Sequence, residues 1–179
     1  MRMPNRPPSR SRPLTPGEIA LAERVFGDAL DTRNLRVVRR AWGRFAFVIG
    51  DRIHVPPGAP ADFAAAPLHT QAWLVHELVH AWQFQTGAWR TLASWLWVVA
   101  TGGYGKGLPG YAYRLPPKPW RRCNLEQQAR LVEHQFLLQA GCRCPTMPAG
   151  ATLADYAEIT PFGRNLREIM DKAGHPTQA

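Results

Sequence analysis

A chain of 179 residues with 45% hydrophobic content suits one well-packed domain, and its composition excludes a disordered or fibrous protein. The formal net charge of +9 would allow contact with nucleic acid or anionic lipid, but four of the arginines (Arg2, Arg6, Arg10, Arg12) fall within the first dozen residues. Three cysteines, with Cys142 and Cys144 in a C-x-C and no C-x-x-C pair, exclude both a disulfide framework and a zinc ribbon.

In chain order, residues 1–13 mix arginine with proline and read as a disordered basic arm, for which nucleic-acid binding is the less favoured role. No apolar stretch follows these arginines, so no secretory signal is expected. The domain is expected over 14–174, with a flexible tail at 175–179. Thr15, Pro16 and Glu18 form a helix-start signature, and Ile19, Ala22, Val25, Phe26 and Ala29 then recur at helical spacing.

The period changes in LRVVRR, RFAFVIG and RIHV, short β-branched or aromatic runs that predict a small, mostly antiparallel sheet over 35–55. Gly50-Asp51 is the expected turn, and RIHV the expected edge strand. A long helix is predicted from about Pro67 to Gln85, stopping at Gly87. The apolar run LASWLWVVA, residues 92–100, is far short of the ~20 residues that span a bilayer. It reads as a buried helix or strand, with membrane contact the less favoured alternative. Residues 101–121 are rich in glycine and proline and predict a long loop. A second long helix is expected from Asn124, capped with Gln127 and ending near Gly141. Short helices are expected after Thr152 and after Thr160-Pro161. The architecture is thus α+β, a single domain with a small sheet packed against two helices.

The chemistry concentrates in LVHELVHAWQFQ. Residues four apart on an α-helix lie ~40° apart around the axis and ~6 Å along it, so His76 and His80 can face one ion. Glu77 sits ~100° round from His76, too far to be a third ligand, and in position to act as base on a zinc-bound water. Imidazole pairs suit Zn²⁺. The third ligand should be another His, Asp or Glu. Glu126, in the first turn of the second helix with Ala129 three residues on, is the best candidate. Glu133 is a reserve and His134 could also serve, although an ordinary polar face beside Arg130 is the preferred reading of both. An oxyanion donor is also needed. Tyr113 is favoured, ahead of Tyr111 and Tyr104. Gly105, Gly107 and Gly110 match G-x-G-x-x-G, but Pro109, Pro116, Pro117 and Pro119 forbid the helix that nucleotide binding requires.

Together, LTPGEIALAERVFGDAL, VHELVHAWQFQTG and NLEQQARLVEHQFLL resemble the small bacterial Vgr-related proteins. These are similar to HExxH domains found beside type VI secretion and contractile injection loci. The resemblance runs from about residue 14 to 160, and the Trp82-Gln83 continuation of the motif is its most specific part. It implies a zincin-like, gluzincin-type metallopeptidase with Zn²⁺ on His76, His80 and Glu126 and Glu77 as base. Gln83, on the histidine face, would orient a ligand. The expected reaction is cleavage of a peptide or amide bond in a peptide or protein, peptidoglycan peptides included. A non-catalytic zincin-fold assembly module is the alternative. A cytoplasmic location is expected, with export by a non-Sec route open.

Overall fold

The computed structural model describes residues 10–105, 107, 109–157 and 159–162. Most of the expected basic arm, the helix expected after Thr160-Pro161 and the 175–179 tail lie outside them. The elements run β1 (Arg10–Pro13), α1 (Pro16–Phe26), β2 (Arg36–Arg39), β3 (Phe47–Ile49), β4 (Arg52–Val55), α2 (Leu68–Ala100), α3 (Leu125–Gln139) and α4 (Ala154–Ala157).

The arm's last four residues are a strand. β1 pairs antiparallel with β2, Arg10 opposite Arg39 and Pro13 opposite Arg36. What fixes it is Glu18, fully buried in α1. Its carboxylate accepts two bonds from the Arg12 guanidinium, both 2.7 Å, one from the Thr15 amide at 2.9 Å and one from the Phe63 amide at 2.9 Å. The Thr15 hydroxyl oxygen accepts the reciprocal capping-box bond from the Glu18 amide. One carboxylate therefore ties strand, helix and the loop before α2 together.

The sheet is mixed, in the order β1-β2-β4-β3. β3 and β4 form the antiparallel hairpin across Gly50-Asp51, with Gly50 at φ +56°, but β2 joins β4 in parallel. RIHV is therefore an interior strand, and the edges of this sheet are β1 and β3. The hairpin leaves the far side of β4 free, and the Arg36 and Arg40 amides bond to the Asp51 and Val55 carbonyls on either side of that ladder. Ile53 and Val55 are fully buried and meet Leu74, Val75, Leu78 and Val79 of α2 in one core with Leu131 and Val132 of α3.

α2 does not stop at Gly87. It bends there, where the backbone leaves helical values (φ −178°, ψ 69°), and continues to Ala100. The carbonyl of Gln83 freed by the bend is taken by the Thr91 hydroxyl at 2.8 Å. LASWLWVVA is therefore helical, but most of it is exposed and not buried as expected. α3 begins as the sequence indicates: the Asn124 side chain accepts from the Gln127 amide, and Gln127 accepts from the Asn124 amide. It ends at Gln139, two residues before Gly141 at φ +68°.

Candidate metal centre

His76, Glu77 and His80 occupy the first, buried half of α2, and Glu126 is the second residue of α3. A carboxylate in the first helical turn lies at the positive end of the helix dipole, where its charge is favoured. The Nε2 atoms of His76 and His80 each lie 3.3 Å from the same oxygen, Glu126 Oε2. Ligand atoms of all three residues fall within 4.8 Å of one another, and all three side chains are buried.

The far nitrogens settle which atoms face inward. His76 Nδ1 is 2.9 Å from Glu133 Oε2, which can only accept while ionised, so Nδ1 carries the proton. His80 Nδ1 is 2.8 Å from Gln83 Oε1. The Gln83 amide nitrogen donates to the Leu125 carbonyl and to Gln128 Oε1, and a carbonyl cannot donate back, so Oε1 must be the end facing His80. Both imidazoles thus turn Nε2 toward Glu126 Oε2, where the charged His76 ring donates to the carboxylate and a metal ion would take the place of that proton. Gln83 takes the position expected of it. Glu133 does not lie on an ordinary polar face: it holds His76 while Arg130 holds it, at 3.1 Å from both oxygens.

The electrostatics follow from packing charges together out of water. Burial lowers the His76 imidazole's affinity for a proton, but Glu126 and Glu133 outweigh it and raise the pKa to about 10. Burial likewise disfavours the Glu126 carboxylate. The imidazoles of His80 and His76 overcome this and hold it well below the usual range. Glu133 is lowered in the same way, by His76 against its own desolvation. Glu77 differs, because burial dominates and pushes it up, helped by the nearby Glu126 charge and opposed by the two histidines. The Trp73 indole donates to Glu77 Oε1 at 3.2 Å, and Oε2 is buried with no hydrogen-bond partner among the described residues.

The tyrosines depart from expectation. Tyr113 is not at the site: its hydroxyl lies 2.5 Å from His134 Nδ1 and 2.7 Å from the Tyr156 hydroxyl. His134 is itself fully buried, and burial depresses its pKa to about 4. It belongs to a polar cluster with Tyr113, Tyr156 and Thr146, apart from the His76–His80–Glu126 group. A single 3-10 turn spans Pro109–Tyr111, and its Gly110 amide bonds the Gly103 carbonyl at 2.9 Å. Tyr111 stacks on His76, ring centroids 5.8 Å apart, with the Arg130 guanidinium on its ring at 5.0 Å. Tyr104 donates to Glu126 Oε1 at 2.5 Å. Burial first, and then the Glu126 carboxylate, raises both hydroxyls above the ordinary tyrosine range, so they remain donors. Tyr104 and Trp73 are the site residues that sequence reasoning underweighted or missed. Trp73 stands one helical turn before Glu77, which is the signal that could have found it.

No protein-family model matches the chain. It is 34% identical over 139 residues to the type VI secretion system spike protein VgrG2b of Pseudomonas aeruginosa, a match spanning 70% of this chain and 13% of the spike. It also superposes on the effector domain of P. aeruginosa VgrG2b with a TM-score of 0.56 and 30% identity, over 72% of this chain and 75% of that domain. The chain belongs to the VgrG2b effector-domain family. The Vgr relationship expected from the motifs therefore stands, together with an α+β fold built on a small mixed sheet. Against VgrG2b as a whole the chain spans only about 13% of the length, so the relationship is to one domain of that protein.

Proposed function

We propose that the chain is a zinc-dependent metallopeptidase-like hydrolase acting on peptide or amide bonds, a secretion-associated effector module related to that of VgrG2b. The observation that carries this is the convergence of His76 Nε2, His80 Nε2 and Glu126 Oε2 beside the buried, half-unpartnered carboxylate of Glu77. Two neutral imidazoles and one carboxylate are a donor set that suits Zn²⁺ and leaves a position open, as catalytic sites do. Zinc, when bound there, supplies a Lewis acid that polarises the scissile carbonyl and lets water act as a nucleophile near neutral pH.

The protein's own groups do the rest. Glu77 Oε1 is anchored by Trp73, so Oε2 is the atom left to accept a proton from water and return it to the leaving amine. Its raised pKa brings its basicity nearer to the working pH. The oxyanion role expected of Tyr113 passes to Tyr111, whose ring stacks on His76 and whose hydroxyl stays protonated, while Tyr104 donates to Glu126. Glu133 and Gln83 keep the imidazoles in the ligating tautomer. The VgrG2b relationship also favours delivery by a type VI, non-Sec route, with the substrate a protein or a peptidoglycan peptide.

The test is metal content and turnover together. Protein purified without added zinc should carry about one zinc per chain, and His76→Ala and Glu126→Ala should lose it. Glu77→Gln should keep the metal and lose activity by at least ~10²-fold. Full zinc in the His76 and Glu126 variants would reject the site. Full activity in Glu77→Gln would reject the base.

A further inference from the structure

The second half of α2 inverts the pattern of a helix on a soluble protein. After the bend at Gly87 its inward positions are Thr91, Ser94 and Val98, two of them hydroxyl residues. Its solvent side carries Trp89, 84% exposed, Trp97, 66% exposed, and Leu96, 58% exposed, with Leu92, Trp95 and Val99 also exposed. Apolar side chains in this density on one exposed helix mark a surface that something covers.

The charges around it indicate what. From Leu78 to Leu125 the sequence contains six cationic residues and no aspartate or glutamate. Arg90, Arg114, Lys118, Arg121 and Arg122 are exposed, and none forms an ion pair among the described residues. The segment 120–125 runs along this half of α2. The Leu125 amide meets the Ser94 hydroxyl at 3.3 Å, and Arg90 and Arg121 line one cleft of about 590 Å³ beside Trp82 and Trp120. A tryptophan-rich helix bordered by unpaired cations complements the boundary of an anionic bilayer, where indoles settle at headgroup depth and cations meet phosphates. A second copy would bring the same positive charges against each other. No helix among the described residues is long and apolar enough to cross a membrane, so the helix would lie on the surface.

We propose that the Trp89–Val99 face of α2 docks the protein onto anionic lipid bilayers, with the neighbouring arginines and lysine as its electrostatic contacts. This docking does not depend on the hydrolase chemistry. It has a bearing on the site, however: α2 turns through Thr101–Gly103 directly into Tyr104, the partner of Glu126. The Gly103 amide bonds the Val98 carbonyl at 2.7 Å, which fixes that turn to the docking helix. Docking would therefore bring the tyrosine wall of the metal centre close to the membrane.

The experiment is co-sedimentation of the purified chain with phosphatidylglycerol-containing vesicles and with pure phosphatidylcholine vesicles, at low and high salt. Wild type should sediment with the anionic vesicles and be released by salt. The double variant Trp89→Ser/Trp97→Ser, at two exposed positions and checked for an unchanged circular dichroism spectrum, should bind about tenfold more weakly or worse. Arg121→Gln/Arg122→Gln should flatten the salt dependence. No binding by wild type would overturn the proposal. So would equal binding by the tryptophan variant, which would make the attraction merely cationic. A dimer in sedimentation equilibrium that those serines dissolve, without vesicle binding, would assign the face to a second copy.

Discussion

His76 and His80 are held from behind by acceptors of different kinds, a carboxylate that is itself gripped by Arg130 and a neutral amide pinned by a backbone carbonyl. The second arrangement is the more exposed to mutation, because Gln83 is the neutral acceptor that holds the His80 Nδ1 proton against the pull of Glu126 on Nε2. Replacing it with alanine removes the acceptor at Nδ1 and frees the ring to turn or change tautomer. On the proposed function, Gln83→Ala should therefore fold normally and bind zinc roughly 10–100-fold more weakly, as measured by competition with a chromophoric chelator. Unchanged affinity would show that His80 is oriented by packing alone. The tyrosines mark the limit of what local sequence determines. Tyr104, Tyr111 and Tyr113 share one glycine- and proline-rich loop, and nothing local tells which hydroxyl returns to the ion position. The turn at Pro109–Tyr111 and the buried His134 decide it, and both decisions are tertiary.

Among the elements, those set by short-range periodicity were legible and those set by partners far along the chain were not. The paired histidines follow from an i, i+4 spacing on an apolar helix, and Glu126 from its place two residues after a capping asparagine. β1 was hidden because Arg10–Pro13 carries no hydrophobic alternation; what makes it a strand is the Arg12–Glu18 clamp and pairing with β2 some twenty-five residues on. RIHV read as an edge because its hairpin partner is local while its parallel partner is not. Gly87 read as a stop because the Thr91 bond that carries the helix past it is invisible in the pattern. The Glu18 clamp yields a prediction of its own. Glu18→Ala strands the Thr15 and Phe63 amides and the half-covered Arg12 charge, a loss of about 3–5 kcal/mol, as for breaking other buried ion pairs. Urea denaturation of the variant should show it. A cost below about 1 kcal/mol would mean that β1 and the loop are held by packing instead.

At the level of the whole molecule, α2 and α3 are packed around a cluster that is costly to bury. Glu77, Glu126 and the two histidines sit in the centre of the fold with almost no access to solvent, and Glu133 adds a further acidic group. Ion pairing among them offsets part of the desolvation, but the two imidazoles can neutralise the carboxylates only by taking protons. A dication among these groups would compensate the same charges and join the two helices directly. On the proposed function, zinc is therefore a stabiliser of the fold as well as a participant in chemistry. A ligand that binds only the folded state at a thousand times its Kd adds about 4 kcal/mol, which for a chain of this size is roughly 10 °C in Tm. Treatment with a strong chelator should lower the melting temperature by about that amount, and stoichiometric zinc should restore it. His80→Ala and Glu126→Ala should melt at the same temperature with or without chelator, since they have no site to empty. A wild-type melting temperature indifferent to chelation would place the stability of the α2–α3 pair in its apolar contacts alone, with the polar cluster held by its own ion pairs.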